Sequence, residues 1–151
     1  MDRKVYASSR RDDWETPPEL FERLNDEFNF TLDPCATKES AKCEKYYTIK
    51  EDGLIQSWEG EIAFMNPPYG RKIYDWIQKA WYESGRCLVV CLIPSRTDTV
   101  WWHRYVMEAK EIRFISGRLK FSDNKFNAPF PSVVVIFDGK KRKAPKVISY
   151  E

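Results

Sequence analysis

The stretch IAFMNPPYGRKIYDWI, residues 62–77, constrains the fold more than any other part of the chain. Ile62 to Met65 form a short apolar run with no polar face, which predicts a buried strand. Proline cannot donate to a sheet ladder, so Pro67 and Pro68 end that strand abruptly. After Gly70, the residues Ile73, Trp76, Ile77, Ala80 and Trp81 recur at helical spacing and predict a helix over about 71–84. The unit is strand, stiff turn, helix. Ligands of open α/β sheets sit outside the carboxyl ends of the strands, which makes residues 66–69 a candidate site.

At 151 residues, 42% hydrophobic and 15% aromatic, the chain is long and apolar enough for one domain with a substantial core. With 25 basic and 23 acidic residues its net charge of +2 carries no signature of nucleic-acid binding, though a local basic patch stays open. No apolar run approaches the roughly 18 residues that span a bilayer. The start, MDRKVYASSRRDDW, lacks the apolar core of a signal peptide. A cytoplasmic, membrane-free protein is expected. Cys35, Cys43, Cys87 and Cys91 are not arranged in CxxC pairs and the only histidine is His103, so reduced thiols and no metal are expected.

The first dozen residues are basic and serine-containing and read as a loose arm. WETPPELFERLNDEF then predicts a helix, with Thr16 as N-cap, Pro17 in the first helical position and Glu19 closing a capping box. Leu20, Phe21, Leu24 and Phe28 form its apolar stripe. FTLDP, KCEKYYTI, IAFMN, CLVVCLIP, EIRFI and SVVVIF predict strands, and TVWWHRYVMEA predicts a helix over about 99–109. SGRLKFSDNKFNAPFP is a long polar connection with two prolines, and residues 139–151 read as a charged, solvated tail. Alternating strands and helices closed by a strand pair predict an α/β fold, mostly parallel with a C-terminal antiparallel hairpin, in a single domain over 1–151.

The chemistry suited to Asn66-Pro67-Pro68-Tyr69 follows from what a planar amino group lacks. The lone pair of an exocyclic amine such as that of adenine is delocalised into the ring, so it is a poor nucleophile. Two acceptors facing its two hydrogens favour a pyramidal nitrogen and free that pair. Asn66 offers a side-chain carbonyl and Pro67 a backbone carbonyl held by its fixed φ. Pro68 stiffens the turn so that both are preorganised. Tyr69 suits stacking on an extruded base. No nucleophilic side chain and no metal is needed. Asn-Pro also marks ordinary turns, so the tetrapeptide alone leaves a turn with a core tyrosine open.

Asn66-Pro67-Pro68-Tyr69 resembles the catalytic motif of S-adenosylmethionine-dependent amino methyltransferases. The wider pattern resembles the phage-type DNA N6-adenine methyltransferases of the Dam group. The matching pieces are DWETPPELFERLNDEFNFTLDPCAT, KYYTIKEDGLIQSWEGEIAFMNPPYG, WIQKA, LIPSRTDTVWWH, GRLKF and APFPSVVVIF, in the family's order over residues 13–137. The resemblance implies a Rossmann-like fold, S-adenosylmethionine as cofactor, and methyl transfer to N6 of a flipped-out adenine in DNA, inside a bacterial or phage-infected cell. It implies that Thr16 and Pro17 meet the methionine end of the cofactor, where the free N–H groups of a helix start suit a carboxylate. It further implies that Asp33 accepts from the cofactor's ammonium and Asp52 from its adenine amino group, with Gly53 letting the backbone pass close. Without the family, Asp33 reads equally as a cap or Asx-turn residue before Pro34, and Gly53 as a turn glycine.

Two departures from the pattern stand out. DPCATKES contains no glycine where many methyltransferases carry a glycine-rich loop, and only 18 residues separate Asp33 from Asp52. Glu39 and Glu44 are weak candidates for a ribose contact. No target-recognition domain is legible, which leaves sequence reading to loops or to a partner chain, a homodimer included. Arg118, Lys120, Phe121, Lys125, Phe126 and Phe130 interleave base and aromatic in the 116–131 connection, and Arg96 follows the CLVVCLIP strand; both suit phosphate contacts plus stacking. The alternatives are phenylalanines tucked into the core and an Arg96 paired with Asp98. The same motif suits an amino group in RNA or a protein glutamine amide, and a degenerate nucleic-acid-binding module is the non-enzymatic reading; the Dam-like flanks favour DNA.

Overall fold

The structure is a computed structural model that describes residues 13–121 and 126–151. The expected N-terminal arm and Lys125 lie outside the described residues. Along the chain come α1 (Pro18–Phe28), β1 (Leu32–Asp33), β2 (Lys45–Tyr46), β3 (Ile62–Met65), α2 (Ile73–Glu83) and β4 (Leu88–Pro94). α3 (Val100–Arg104), a 3-10 turn (Val106–Glu108), β5 (Glu111–Ile115), β6 (Ser132–Phe137) and β7 (Lys146–Tyr150) complete it.

The strands form one seven-stranded sheet in the order β2-β1-β3-β4-β6-β5-β7. β2, β1, β3 and β4 run parallel. β6 is antiparallel to both β4 and β5, and β7 is parallel to β5. The expected antiparallel pair is therefore present, but a further strand lies beyond it at the sheet edge. From β1 the chain moves outward to β2 and then back across to β3, so the direction of strand addition reverses between β1 and β3. The carboxyl ends of these two strands, where Asp33 and Asn66 stand, form the crevice in which α/β sheets bind ligands.

The core is centred on β4 and β6. LVVCLIP and SVVVIF are near-continuous apolar runs, the pattern of strands covered on both faces, and they pair antiparallel from Val89–Phe137 to Pro94–Ser132. α2 buries Ile73, Trp76, Ile77 and Ala80 as its spacing predicts, but Trp81, expected on the same stripe, lies at its margin and stays 37% exposed, with its indole N–H donated to Glu108. α1 is seated by aromatic contacts: Phe21 and Phe30 each lie 5.2 Å from the Phe64 ring of β3. Asn29 ends α1 in the left-handed conformation (φ 56°), and the Asn25 side chain accepts from the Phe30 amide at 2.9 Å.

Three expectations are corrected. Thr16 does not cap α1: Pro17 occupies the cap with ψ 134° and makes no side-chain cap bond. Pro18 disfavours a helical ψ in the residue before it and has no N–H for a hydroxyl at position 16 to bond, so the helix cannot begin at Pro17. The helix expected over 99–109 stops at Arg104, although Thr99 caps it by accepting from the Trp102 amide at 3.2 Å. Tyr105 leaves helical geometry (φ −119°), and its hydroxyl reaches Gln78 of α2 at 2.8 Å. The tail read as solvated carries β7, whose Tyr150 is buried beneath the Arg23 guanidinium, 3.8 Å from its ring. No helix among the described residues is long and apolar enough to cross a membrane.

Arg113 of β5, 7% exposed, ties this edge to α1. Its guanidinium donates to both Glu27 oxygens at 2.7 and 2.6 Å and to Glu111 at 2.6 Å. Removing the cation leaves Glu111, 11% exposed, with Lys146 at 3.8 Å as its remaining partner, while Glu27, 45% exposed, turns to water. Arg113→Leu is expected to lower stability by about 1–2 kcal/mol, read as a lower urea midpoint with an unchanged m-value.

Candidate active site

Pro67 and Pro68 halt β3 at the carboxyl edge of the sheet and leave Asn66 as its first residue past the ladder. The Asn66 amide nitrogen donates to the Trp14 carbonyl and, at 2.9 Å, to the Thr16 hydroxyl. Its carbonyl oxygen accepts from the Tyr69 hydroxyl at 2.7 Å. The Asn66 backbone carbonyl accepts from the Cys35 thiol at 3.2 Å. Among the described residues no donor meets the Pro67 carbonyl.

Tyr69 is 3% exposed, and burial pushes its phenol well above the usual tyrosine range, so it is neutral. Its hydroxyl also lies 3.0 Å from the Leu92 carbonyl, giving its single hydrogen two acceptors. The ring meets Phe130 edge-on at 5.5 Å and Phe121 at 6.2 Å, and both phenylalanines pack on Trp14 at 5.2 and 5.3 Å. The 116–131 connection thus divides. Phe121 and Phe130 wall the motif, while Phe126 stands 76% exposed. The bond from the Ala128 amide to the Leu119 carbonyl, 2.7 Å, closes the base of that loop. Arg118 and Lys120 are exposed. Arg96 is exposed too, with its guanidinium 5.8 Å over the Phe130 ring and donating to the Tyr69 carbonyl at 3.2 Å, not to Asp98. The Ser132 hydroxyl, buried at this edge opposite Pro94, has no partner among the described residues.

The acidic positions are joined by a close backbone approach. A Cβ on Gly53 would lie 2.0 Å from the Pro34 carbonyl oxygen, so only glycine lets the segment after Asp52 reach the end of β1. Trp58, fully buried, pins this loop by donating its indole N–H to the Gly53 carbonyl at 3.0 Å, while the Glu83 carboxylate of α2 accepts from the Trp58 amide at 3.0 Å. Asp52 is left-handed (φ 58°) and accepts from the Leu54 amide at 3.1 Å, an Asx turn. Asp33, 5% exposed, accepts from the Lys42 amide at 3.0 Å, which folds the glycine-free 34–42 loop around its carboxylate. Glu39 and Glu44 are exposed. Thr16 and Pro17 lead into α1, whose Glu19 and Leu20 amides are first-turn donors with no partner inside the helix.

Contacts thus join Thr16 and Tyr69 to the Asn66 amide, Cys35 to the Asn66 carbonyl and Arg96 to the Tyr69 carbonyl. Gly53, next to Asp52, packs on Pro34, next to Asp33; Pro17, Pro67 and Pro68 are chain neighbours of these residues. Trp14 and Cys35 were not singled out in the sequence. An indole at the edge of a polar arm, two residues before a Thr-Pro-Pro helix start, is the signal that marked Trp14. Surface hollows beside Trp81 and Lys140 and beside Asp98 and His103 contain no residue of the motif. His103 is exposed, its Nε2 2.7 Å from the Thr97 carbonyl.

An α/β sheet with an acid ending β1 and Asn-Pro-Pro-Tyr ending β3 defines an amino-group methyltransferase by fold and site. The fold is shared with the crystal structure of a modification subunit of a putative type I restriction enzyme from Vibrio vulnificus YJ016: TM-score 0.55, 11% identity, covering 91% of this chain and 47% of that one. The family model for DNA N-6-adenine-methyltransferase (Dam) matches residues 4–150, and the chain belongs to this family. A DNA N-6-adenine-methyltransferase of Haemophilus phage HP1 is 30% identical over 93% of this chain and 86% of its own length. Another, from Escherichia phage T1, is 30% identical over 72% of this chain and 47% of its own.

Burial raises the Asp33 carboxyl to about 6, against the Lys42 and Cys35 amides that favour its anion. A carboxyl that protonates more readily folded than unfolded contributes its stability in full below the ordinary value near 3.8 and loses it as pH rises through about 6. At pH 7.5 the charged Asp33 therefore costs the fold about 3 kcal/mol, at roughly 1.4 per pH unit. Asp33→Asn is expected to melt above the native protein at about pH 7.5 and to lose that advantage below about pH 4, thermal unfolding at both pH values being the measurement.

Proposed function

We propose that this crevice transfers a methyl group from S-adenosylmethionine to N6 of an adenine extruded from DNA, and that it does so within one Rossmann-like domain. Membership of the DNA N-6-adenine-methyltransferase family supports the reaction, and one observation carries the site: Asn66 presents a preorganised carbonyl oxygen at the sheet's switch point, one peptide from a second acceptor at Pro67.

The residues fit the cofactor by their donor and acceptor character. The Glu19 and Leu20 amides that follow Thr16 and Pro17 suit a carboxylate, Asp33 an ammonium, and Asp52 an amino group on a purine. Gly53 keeps the two acids on one crevice. Bound there, S-adenosylmethionine supplies an electrophilic methyl group. The chain's own part is to prepare the nucleophile. Asn66 Oδ1 and the Pro67 carbonyl accept the two N6 hydrogens and hold the lone pair out of the ring. The Tyr69 hydroxyl keeps the Leu92 carbonyl as partner when Asn66 Oδ1 accepts from the substrate instead, so no buried donor is orphaned. As N6 gains the methyl group, leaving the sulfonium as a neutral thioether, it releases one proton to water. Carbonyl oxygens accept hydrogen bonds but are too weakly basic to keep that proton, and no covalent enzyme intermediate is needed.

Asn66→Ala is expected to lower methyl transfer at least about a hundredfold, read by mass spectrometry of nucleosides from unmethylated DNA. Product that persists undiminished would discard residues 66–69 as the site. Arg96, Arg118 and Lys120 are proposed to hold phosphates. Changing one of them to Ala is expected to weaken DNA binding and reduce the slope of log affinity against log salt by about one.

A further inference from the structure

We infer that Thr16 is a positioning residue for methyl transfer and acts by fixing which end of the Asn66 amide faces the reacting amine. The inference rests on the proposed role of Asn66 and takes the Thr16 hydroxyl away from the cofactor, to which the family resemblance assigned it.

The geometry is decided by hydrogen counting. A backbone carbonyl carries no hydrogen, so the atom of Asn66 that meets the Trp14 carbonyl is the amide nitrogen. The nitrogen has two hydrogens, and the Thr16 hydroxyl, 2.9 Å away, accepts the second. With both hydrogens directed at residues 14 and 16, Oδ1 points the other way, to the Tyr69 hydroxyl at 2.7 Å. Turned over, the amide would set Oδ1 against the Trp14 carbonyl, acceptor to acceptor, and offer N–H hydrogens to the N–H hydrogens of the substrate. That rotamer cannot activate an amine.

Thr16 suits the task by its placement. It is 2% exposed, so no water competes for its oxygen. It is released from capping because Pro17 holds the cap and Pro18 has no N–H to offer. Segment 14–16 is itself fixed, by α1 on one side and by the Trp14 indole against Phe121 and Phe130 on the other. The structural link therefore runs from the seat of α1 to the rotamer of the catalytic amide.

The test is steady-state methylation by the full-length protein with Thr16→Val, which keeps the volume and removes the acceptor, beside Thr16→Ser, which keeps the hydroxyl. The expected result is a kcat about ten- to thirtyfold lower in Thr16→Val, the size of effect one buried hydrogen bond supports. The KM for S-adenosylmethionine should move less than about twofold and Thr16→Ser should recover kcat to within about threefold. A raised cofactor KM with kcat intact would overturn the inference and return Thr16 to the cofactor. Unchanged kcat and KM would overturn it as well. If Thr16→Val does not fold, Thr16→Cys, similar in size and a weak acceptor, replaces it, with a reduced kcat expected and a native kcat overturning the inference. Asn66→Ala in the same assay separates the two readings: activity that survives there sinks both, whereas activity lost there but native in Thr16→Val sinks only this one.

Discussion

The hydrogen bond from the Asn66 amide to the Trp14 carbonyl joins segments 52 residues apart and closes the sheet's carboxyl edge onto the entry to α1. Asn66 alone is the end of a strand. Held by Trp14 and Thr16 on its nitrogen and by Tyr69 on its oxygen, it becomes an acceptor of fixed direction. That direction depends on where α1 sits. Phe21 and Phe30 seat the helix on Phe64, two residues before the motif, and Arg113 clamps Glu27 from the far edge of the sheet. The core and the site are thus one construction, because the contacts that hold α1 also set the segment that orients Asn66.

The Asp33 side of the crevice is built without a glycine-rich loop. A loop of that kind supplies close backbone approach and free amides. Here approach comes from the single Gly53 against Pro34, and amides come from the 34–42 segment, which turns its Lys42 N–H onto the Asp33 carboxylate. The consequence is a buried acid whose carboxyl is raised to about 6, an energetic cost at neutral pH. The 18 residues between Asp33 and Asp52 suffice because β2 is only two residues long and Trp58 anchors the return against α2.

What the sequence disclosed and what it hid follow from how far each signal reaches. β3, the diproline turn and α2 were legible because periodicity and proline act locally, and Ile73, Trp76, Ile77 and Ala80 are buried where their spacing put them. Gly53 was readable as a place of close approach, though not its neighbour Pro34, which is distant in sequence. Thr16 misled because the capping box considers side chains and ignores that Pro17 precedes another proline. α3 ended early because the Tyr105 hydroxyl bonds to Gln78 of another helix, a tertiary preference that outranks local propensity. β7 was lost in a lysine-rich tail, since its partners, β5 and the two arginines on Tyr150, lie far from it in the chain. The two-residue β1 and β2 are too short for any pattern to mark their ends.

Burial divides the residues around the motif into two sets. Tyr69, Phe121 and Thr16 are all within a few per cent of full burial; Tyr69 and Phe121 pack together, and Tyr69 and Thr16 both bond the Asn66 amide, so they define an environment that depends little on what carries the amino group. Arg96, Arg118, Lys120 and Phe126 are exposed, on loops rather than on strands. A planar amino group satisfies the inner set whether it belongs to a nucleobase or an amide, whereas exposed cations beside an exposed aromatic ring suit phosphates and bases together. The link between the two sets is Phe130, whose ring lies 5.5 Å from that of Tyr69 at a steep angle and 5.8 Å beneath the Arg96 guanidinium. One side chain therefore touches both the buried motif and an exposed cation, so a shift of the Arg96 loop is felt at the wall of the motif.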